Sequence, residues 1–384
     1  MKIEWVIFFL MAVCLCMIGF NLVFALWERL REKTGRLRAG YLCTQLATAI
    51  ERCGTAGMGT HLRRLSKLLT RLSWLEAYDR ALEQRRAQGQ QQLEGYLAAA
   101  SPLYLILLPA YKGKDDLHRA FYCNMVEKWY LCRPADPVLV SALIAFAQRG
   151  SFYQRQNALE ALSAVGGPAD LATAFAAADR TQEFHHPKLL TEIALSFPGD
   201  ADCLAAELAE RFAGMSPSAQ VAAVNFMRMS GAVASPGSCR GEGGACRAGS
   251  REAQEAWLMG LLADSSQDRE LRLACMRWLG AFPSENSFAL VLGFARDAGE
   301  GAWEFAAVAC SVLASYPSPA TVEVLKGCLS SRVWHVRNNA AASLYALGAS
   351  LEDDLADVLE GDDSYARDMI LARWERERCQ RGGE

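Results

Sequence analysis

Two short stretches of the chain contain residue types that could do chemistry. Residues 334–339, Trp-His-Val-Arg-Asn-Asn, place His335 and Arg337 beside two amides, a combination that resembles a catalytic segment. The other stretch is the pair His185 and His186. Zinc requires three or four nitrogen or sulfur ligands in one place, and adjacent residues of a helix point about 100° apart. The histidine pair therefore predicts no metal site.

The thirteen cysteines are spaced irregularly and form no CxxC pair. Most lie in apolar helical patterns, where a thiol behaves as a small hydrophobe. An odd number of scattered cysteines is typical of a reducing compartment rather than of a disulfide framework. Cys239 and Cys246 lie in the Gly/Ser-rich residues 231–250, where a disulfide or a soft-metal site competes with a simple flexible loop. The loop is the preferred interpretation, because no histidine is nearby.

Signatures of common catalytic and nucleotide-binding sites are absent from the sequence. It contains no P-loop, no HExxH zinc motif and no GxSxG nucleophile motif. The neighbouring carboxylates Glu352, Asp353 and Asp354 are typical of a helix start, where the helix dipole favours negative charge. These observations predict no enzyme, no catalytic residue and no cofactor.

The most apolar element is residues 5–26, which are 22 residues without a charge, with Trp5 and Trp27 at the ends. A helix of this length measures ~33 Å, which matches a hydrocarbon core of ~30 Å. Tryptophans at both ends are typical of the membrane interface. A cleaved signal peptide is the alternative, but its apolar run is usually ~7–15 residues. The sequence therefore predicts one transmembrane helix within residues 1–27.

Charge on either side of this helix predicts its orientation. Only Lys2 precedes it, whereas five basic residues follow it: Arg29, Arg31, Lys33, Arg36 and Arg38. Because positive residues stay in the cytoplasm, we expect the N-terminus outside and the rest of the chain inside. Residues 28–90 carry 13 Lys/Arg against 6 Asp/Glu, and residues 91–384 carry 26 against 36. The acidic remainder argues against nucleic-acid binding.

A basic amphipathic helix is predicted between residues 61 and 82. Leucines at helical spacing form one stripe, and the cations lie off it: Arg63, Arg64, Lys67 and Arg71. Two interpretations remain open at this point. The basic face is either simply solvated, or it contacts the anionic inner leaflet or an acidic partner. The apolar run from Tyr96 to Tyr111 is too short to span and contains two prolines, so it predicts a buried, broken helix.

A repeated pattern runs through the second half of the chain. Four arginines share one position of this pattern, and a leucine follows the first three after seven residues: Arg155, Arg272, Arg337 and Arg367, with Leu162, Leu279 and Leu344. A candidate N-cap residue stands four residues before three of the arginines, at Ser151, Asp268 and Asp363. A second amphipathic helix follows each copy. Helix pairs recurring every ~30–34 residues predict an α-solenoid.

The copy at residues 334–348 resembles the Val-Arg-x-x-Ala-x-x-x-Leu core of HEAT repeats, particularly the short HEAT-like type named after phycobilisome lyases. The resemblance covers residues 151–177 and 254–374 and is weak over 93–150 and 187–231. In that family the arginine commonly joins one repeat to the next through an acidic or carbonyl partner. The resemblance thus implies a structural role for all four arginines. Ala306 departs from the pattern by replacing the arginine, and Gln154 and Ala366 replace the valine.

Together these features predict an all-α protein with a single N-terminal transmembrane helix followed by an α-solenoid of HEAT-like helix pairs. The expected domains are an anchor (1–27), a basic juxtamembrane helical segment (28–92), the solenoid (93–378) with a loop at 231–250, and a tail (379–384). Solenoids supply binding area, so we expect a membrane-tethered, non-enzymatic adaptor for a protein partner. The resemblance to bacterial HEAT-repeat proteins implies a membrane glycosyltransferase or an envelope polysaccharide-export component as that partner. The alternative is a HEAT-like enzyme of the bilin lyase type.

Overall fold

The computed structural model describes residues 2–51, 57–178, 185–237, 250–297 and 302–381. Cys239 and Cys246 lie outside these residues. Within them the chain forms helices and no strand, which confirms the predicted all-α class. The helices are α1 (Lys2–Glu51), α2 (Met58–Leu69), α3 (Leu72–Arg86), α4 (Gln90–Ala100), α5 (Pro102–Lys112), α6 (Asp116–Trp129), α7 (Pro137–Gln148), α8 (Phe152–Val165), α9 (Pro168–Ala177), α10 (Pro187–Leu195), α11 (Ala201–Arg211), α12 (Pro217–Ser230), α13 (Arg251–Ala263), α14 (Arg269–Ala281), α15 (Glu285–Arg296), α16 (Trp303–Val312), α17 (Pro319–Leu329), α18 (Trp334–Ala346), α19 (Ala356–Glu360) and α20 (Ser364–Arg381).

The helices form two compact units, Met1–Gly166 and Gly167–Glu384. The predicted solenoid begins at residue 93, inside the first unit, and the predicted division into a juxtamembrane segment and a solenoid stays a prediction. In the first unit α1 packs on α3, and α6 and α7 both pack on α8. The core of this unit contains large aromatic side chains that are almost completely buried, including Tyr78, Tyr122 and Trp129.

The apolar run that contains two prolines is a bent helix pair in the first unit. Helices α4 and α5 meet at Ser101 with a bend of 52°. Proline at the first position of α5 has no N–H to donate to α4, which accounts for the break. Most of the apolar side chains of α5 are buried, and the Tyr111 hydroxyl donates a hydrogen bond of 2.6 Å to the Leu69 carbonyl.

The second unit is built from two layers of helices in a solenoid-like arrangement. Each of the helices α10, α12, α14, α16, α18 and α20 packs on the next member of that series. The helices between them form the other layer, in which α9 packs on α11, and α15 contacts both α13 and α17. From α11 to α19, each helix of the second layer also packs on the helix that directly follows it in the chain. This is the pairing expected when neighbouring repeats bury one another's apolar faces.

Local sequence signals set the ends of these helices. Ser151 accepts a hydrogen bond from the Gln154 amide at the start of α8, and Asp268 accepts from the amides of Glu270 and Leu271 at the start of α14. Gly231 follows α12 with a φ of +75°, a left-handed conformation that favours glycine at a helix end. Gly280 has another role, since a Cβ there would lie 2.8 Å from Val312. Its missing side chain lets α14 approach the neighbouring repeat closely.

Candidate functional site

The apolar end of α1 lies fully exposed on the first unit. Phe8, Phe20 and Trp27 are 72%, 69% and 54% exposed, and none of the most apolar 18-residue window of α1 is buried. Among the described residues, α1 is the single unbroken helix long and apolar enough to cross a membrane. An apolar surface of this extent is typical of a site that meets lipid or another protein.

The other end of α1 belongs to the folded unit. Ala39, Leu42 and Leu46 are at most 2% exposed and face α3. The Arg85 guanidinium donates hydrogen bonds of 2.8 and 3.3 Å to the Cys43 carbonyl, which fixes α3 against α1. The predicted anchor therefore does not end at residue 27 as a separate element; its helix continues for 24 residues to Glu51 and forms part of the first unit.

Three of the predicted membrane-proximal cations on α1 line a cleft between α1 and α3: Arg29, Arg31 and Arg38. Arg31 lies 3.4 Å from Glu76 and over the Trp27 ring, and Arg38 lies over the Trp74 ring. Arg36 pairs with Glu32 at 2.9 Å, whereas Arg29 and Lys33 are exposed to solvent. The cleft has a volume of about 460 Å³ and begins at Phe24, at the end of the apolar run.

Sequence reasoning missed one cation of this cleft. Arg80 reaches it from α3, and its Nη1 would lie 3.1 Å from a Cβ at Gly35 of α1. The guanidinium therefore rests against the α1 backbone because Gly35 has no side chain. Neither residue stands out in the sequence, since the contact depends on how α1 and α3 pack.

The basic face of α2 lies farther along α1. Leu62, Leu65 and Leu69 are buried as the leucine stripe requires, and three cations on the other side of α2 are exposed: Arg63, Arg64 and Lys67. The prediction of one helix over residues 61–82 is wrong, because the extended backbone of Arg71 separates α2 from α3. A cavity between α1 and α2 is lined by α1 residues between Tyr41 and Ala49 and by Arg64 and Leu68 of α2. The contact of this face with the leaflet or with an acidic partner stays a prediction.

The repeat arginines hydrogen-bond the end of the preceding helix. Arg272 Nε donates to the Leu262 carbonyl (2.8 Å), Arg337 Nη1 to Ser331 (2.6 Å), and Arg367 Nη1 to Gly361 (3.5 Å). These carbonyls belong to the last turns of α13, α17 and α19 or to residues directly after them, where backbone oxygens lack helical partners and the dipole is negative. Arg155 is 1% exposed and also belongs to the core.

Two of these arginines, Arg272 and Arg337, also lie over aromatic rings of the next repeat. The Arg272 guanidinium is 4.6 Å from the centre of the Phe305 ring on α16, and Arg337 is 5.7 Å from Tyr365 on α20. A cation over an aromatic face is attracted by the ring quadrupole. Each of these two arginines thus contacts both a preceding helix end and a ring of the following repeat.

Arg119 and Gln220 also hydrogen-bond a backbone carbonyl near the end of the preceding helix, although the sequence pattern identified neither of them. Arg119 donates to the Lys112 carbonyl at the end of α5 and lies 5.9 Å from the Phe146 ring, with Asp115 as the N-cap four residues earlier. Gln220 donates to the Phe212 carbonyl at 3.0 Å, again four residues after its N-cap, Ser216. For Gln220, the four-residue spacing from its N-cap is the sequence signal that could have identified the position, because glutamine does not match the arginine of the repeat pattern.

The repeat leucines form the core beneath these arginines. Leu162, Leu279 and Leu344 are 0% exposed. His335, which shares its helix with Arg337, is exposed instead and stacks on Trp303 at 5.6 Å between ring centres. The structure thus separates the residues of the apparently catalytic stretch: Arg337 contacts backbone and ring, whereas His335 and Trp334 lie at the surface.

A hydrogen-bonded cluster of three titratable side chains lies in the first unit. His61 Nε2 lies 3.0 Å from the Tyr96 hydroxyl, which lies 3.2 Å from the Tyr78 hydroxyl. Burial lowers the pKa of His61 and raises the pKa of Tyr78. Both groups are therefore held neutral near pH 7, and the cluster can relay hydrogen bonds between α2, α3 and α4. Over the part of the chain with described coordinates, no group of three or more His, Cys, Asp or Glu could hold a metal ion.

Removing the Arg272 side chain is expected to destabilise the second unit by about 1–3 kcal/mol, because one charge-assisted hydrogen bond and one ring contact are lost. Arg272→Lys should recover only part of this loss, since an ammonium lacks the planar guanidinium that serves both contacts. Arg277→Ala is the matched control, because Arg277 lies exposed on the same helix. Urea denaturation of the detergent-solubilised chain measures all three; equal midpoints for the Arg272 and Arg277 variants would contradict the joint.

Comparison with known proteins gives a weak structural likeness. No model of a protein family matches the chain, and no curated protein matches its sequence. Among solved structures it is similar to human deoxyhypusine hydroxylase in complex with glycerol, with 17% sequence identity and a TM-score of 0.27, over 83% of this chain and 96% of that one.

This comparison corrects one prediction. The sequence analysis predicts a chain that is not an enzyme, and the structure that it resembles is that of an enzyme. The prediction of a non-enzymatic chain is therefore withdrawn. Absence of familiar motifs was a poor reason for it, because helical repeats can place catalytic residues on separate helices without any local signature. The likeness assigns neither a reaction nor a substrate to this chain.

Proposed function

We propose that the chain is a membrane-tethered HEAT-like repeat protein that binds a protein partner at the cytoplasmic face of the membrane. The observation that carries the proposal is the division of α1 into two halves. Residues 5–26 expose apolar side chains along their whole length, while Ala39, Leu42 and Leu46 are packed in the first unit. One helix therefore has a surface suited to lipid at one end and a surface fixed in a folded body at the other.

The length of the exposed half supports a bilayer rather than water as its surroundings. Its 22 uncharged residues match the hydrocarbon thickness of ~30 Å, and Trp27 is placed where interfacial tryptophans lie. A cleaved signal peptide would require a processing site within a continuous helix that runs from Lys2 to Glu51. Because α1 runs through Trp27 without a break, we expect the apolar half to stay on the mature protein rather than to be cleaved off.

The cations that follow Trp27 support a cytoplasmic location of both units. Arg29, Arg31, Lys33, Arg36 and Arg38 all follow the apolar half, and Lys2 alone precedes it. Tethering in this position raises the effective concentration of the repeats toward a partner in the same membrane. A membrane glycosyltransferase or a polysaccharide-export component is the partner class that the resemblance to bacterial HEAT-repeat proteins suggests.

Paired reporters fused to the C-terminus test this topology. A fluorescent protein that matures only in the cytoplasm is expected to fluoresce in the membrane fraction, and a phosphatase active only outside the cell is expected to stay inactive. The same reporters fused before Lys2 should give the opposite pattern and serve as the matched control. Phosphatase activity at the C-terminus would reverse the proposed orientation.

A further inference from the structure

Three aromatic side chains, a half-buried Trp303 and two exposed rings, lie along one edge of the second unit. Trp303 and Trp334 are 31 residues apart, and Tyr365 lies another 31 residues on, so they occur near the same repeat position in the first turns of α16, α18 and α20. Trp334 and Tyr365 are 52% and 71% exposed. His335 joins the row by stacking on Trp303 at 5.6 Å and meeting Trp334 edge to face at 5.2 Å. The Tyr365 ring also contacts Arg337, yet Trp334 and Tyr365 both keep more than half of their surface exposed.

A cationic cavity interrupts the row between Trp334 and Tyr365. Its volume is about 290 Å³, and its charged lining consists of three arginines and one aspartate: Arg337, Arg373, Arg376 and Asp368. Arg337 is held by the Ser331 carbonyl, and Arg373 pairs with Glu377 at 2.7 Å. Arg376 is exposed, and no ion pair involves it among the residues with described coordinates. Its guanidinium is available to a carboxylate from outside the chain.

From this combination we propose that the edge formed by Trp303, Trp334, His335 and Tyr365 binds an extended segment of a protein partner. The segment would place apolar side chains on the rings and a carboxylate in the cavity. Tryptophan, tyrosine and arginine are the residue types that carry most binding energy at protein interfaces, and Arg376 presents the planar donors that a carboxylate accepts. This inference rests on the proposed function and names the face and the partner chemistry for it.

Aromatic rings with arginines can also hold single-stranded nucleic acid, but the neighbouring charge opposes it. Residues 349–363, which include α19 beside α20, contain seven Asp or Glu and no Lys or Arg. A phosphate at every nucleotide would be repelled by this acidic segment. A polypeptide with an isolated carboxylate fits the local charge better.

Fluorescence anisotropy with the full-length chain in phosphatidylcholine nanodiscs tests the proposal. The probe is a labelled 12-residue peptide of repeating Gly-Phe-Asp-Ser, compared with Gly-Phe-Lys-Ser and Gly-Ala-Asp-Ser versions. Trp334→Ala is expected to weaken binding of the first peptide about 10- to 30-fold, as for an interface anchor. Arg376→Gln is expected to weaken it about 5-fold and to reduce its salt dependence. Both changed peptides should bind less tightly than the first.

Matched controls separate this surface from general effects. Tyr153→Ala removes an equally exposed ring from the first unit, and Arg378→Gln removes an exposed cation of α20 outside the cavity; both should bind like the unchanged chain. Three outcomes would each overturn the proposal. The first is no binding of the first peptide, and the second is equally tight binding of the lysine peptide. The third is a labelled oligouridine that binds more tightly than the first peptide and loses that binding in the same variants. The reporter fusions would still report topology, so a failure here is distinguishable from a failure of the tether.

Discussion

Replacing Met17 and Phe20 together with arginine is expected to move most of the chain from the membrane fraction to the soluble fraction. Both side chains lie in the exposed apolar half of α1, at 60% and 69% exposure. An arginine at the centre of a spanning helix costs ~2.5–3.5 kcal/mol, whereas each Leu, Ile, Phe or Val contributes ~0.3–0.6 kcal/mol. Residues 5–26 contain thirteen of the latter, so at those values they supply roughly 4–8 kcal/mol, which two arginines nearly cancel.

Carbonate extraction followed by immunoblotting of pellet and supernatant measures this release. Gly40→Arg is the matched control, because Gly40 is exposed on the same helix beyond the apolar half and a Cβ there meets no atom within 4 Å. That variant should remain in the pellet. Retention of the double variant in the carbonate-resistant pellet would show that residues 5–26 are not what holds the chain to the membrane.

The second large effect is expected in the repeat core. Leu279→Ala should lower the free energy of unfolding by about 2–5 kcal/mol, because the leucine is 0% exposed in α14 and its loss leaves a cavity. A change of this size is a large share of the ~5–15 kcal/mol that stabilises a typical domain. Leu371→Ala, at a position of α20 that is 45% exposed, is the matched control.

Chemical denaturation of the solubilised chain, followed by far-ultraviolet circular dichroism, compares the unfolding midpoints of the two variants. Leu162→Ala and Leu344→Ala should resemble Leu279→Ala, since the three leucines share one repeat position and the same burial. Equal midpoints for Leu279→Ala and Leu371→Ala would contradict the repeat register.

The repeat register was predictable from sequence because three signals coincide in it. An N-cap such as Asp268 begins the helix, the arginine follows four residues later, and the leucine comes seven residues after that. Where one signal is weak the prediction fails, as for Gln220, which has the same carbonyl contact as the arginines but a different residue type. Spatial contacts such as Arg272 over Phe305 were beyond sequence reasoning, since no local pattern specifies which ring a guanidinium meets.

The anchor shows the same division between what is predictable and what is not. Uncharged length alone predicts a spanning helix over residues 5–26. Helix after Trp27 was also predicted, as a separate juxtamembrane segment, but its continuity with the anchor to Glu51 was not, because many charged residues follow Trp27 and the buried stripe of Ala39, Leu42 and Leu46 is sparse. The alignment of Trp303, Trp334 and Tyr365 was not predicted, because it appears only when the helices α16, α18 and α20 pack side by side.

Labelling of the native cysteines with a membrane-impermeant maleimide tests the central claim most directly. Cys14 and Cys16 are exposed on the surface of α1 within its apolar half, and Cys379 is exposed near the end of α20. In inside-out membrane vesicles, we predict rapid labelling of Cys379 and none of Cys14 or Cys16 until detergent is added, with peptide mass spectrometry as the readout. Labelling of Cys14 and Cys16 at the rate of Cys379 in intact vesicles would contradict a membrane-embedded anchor.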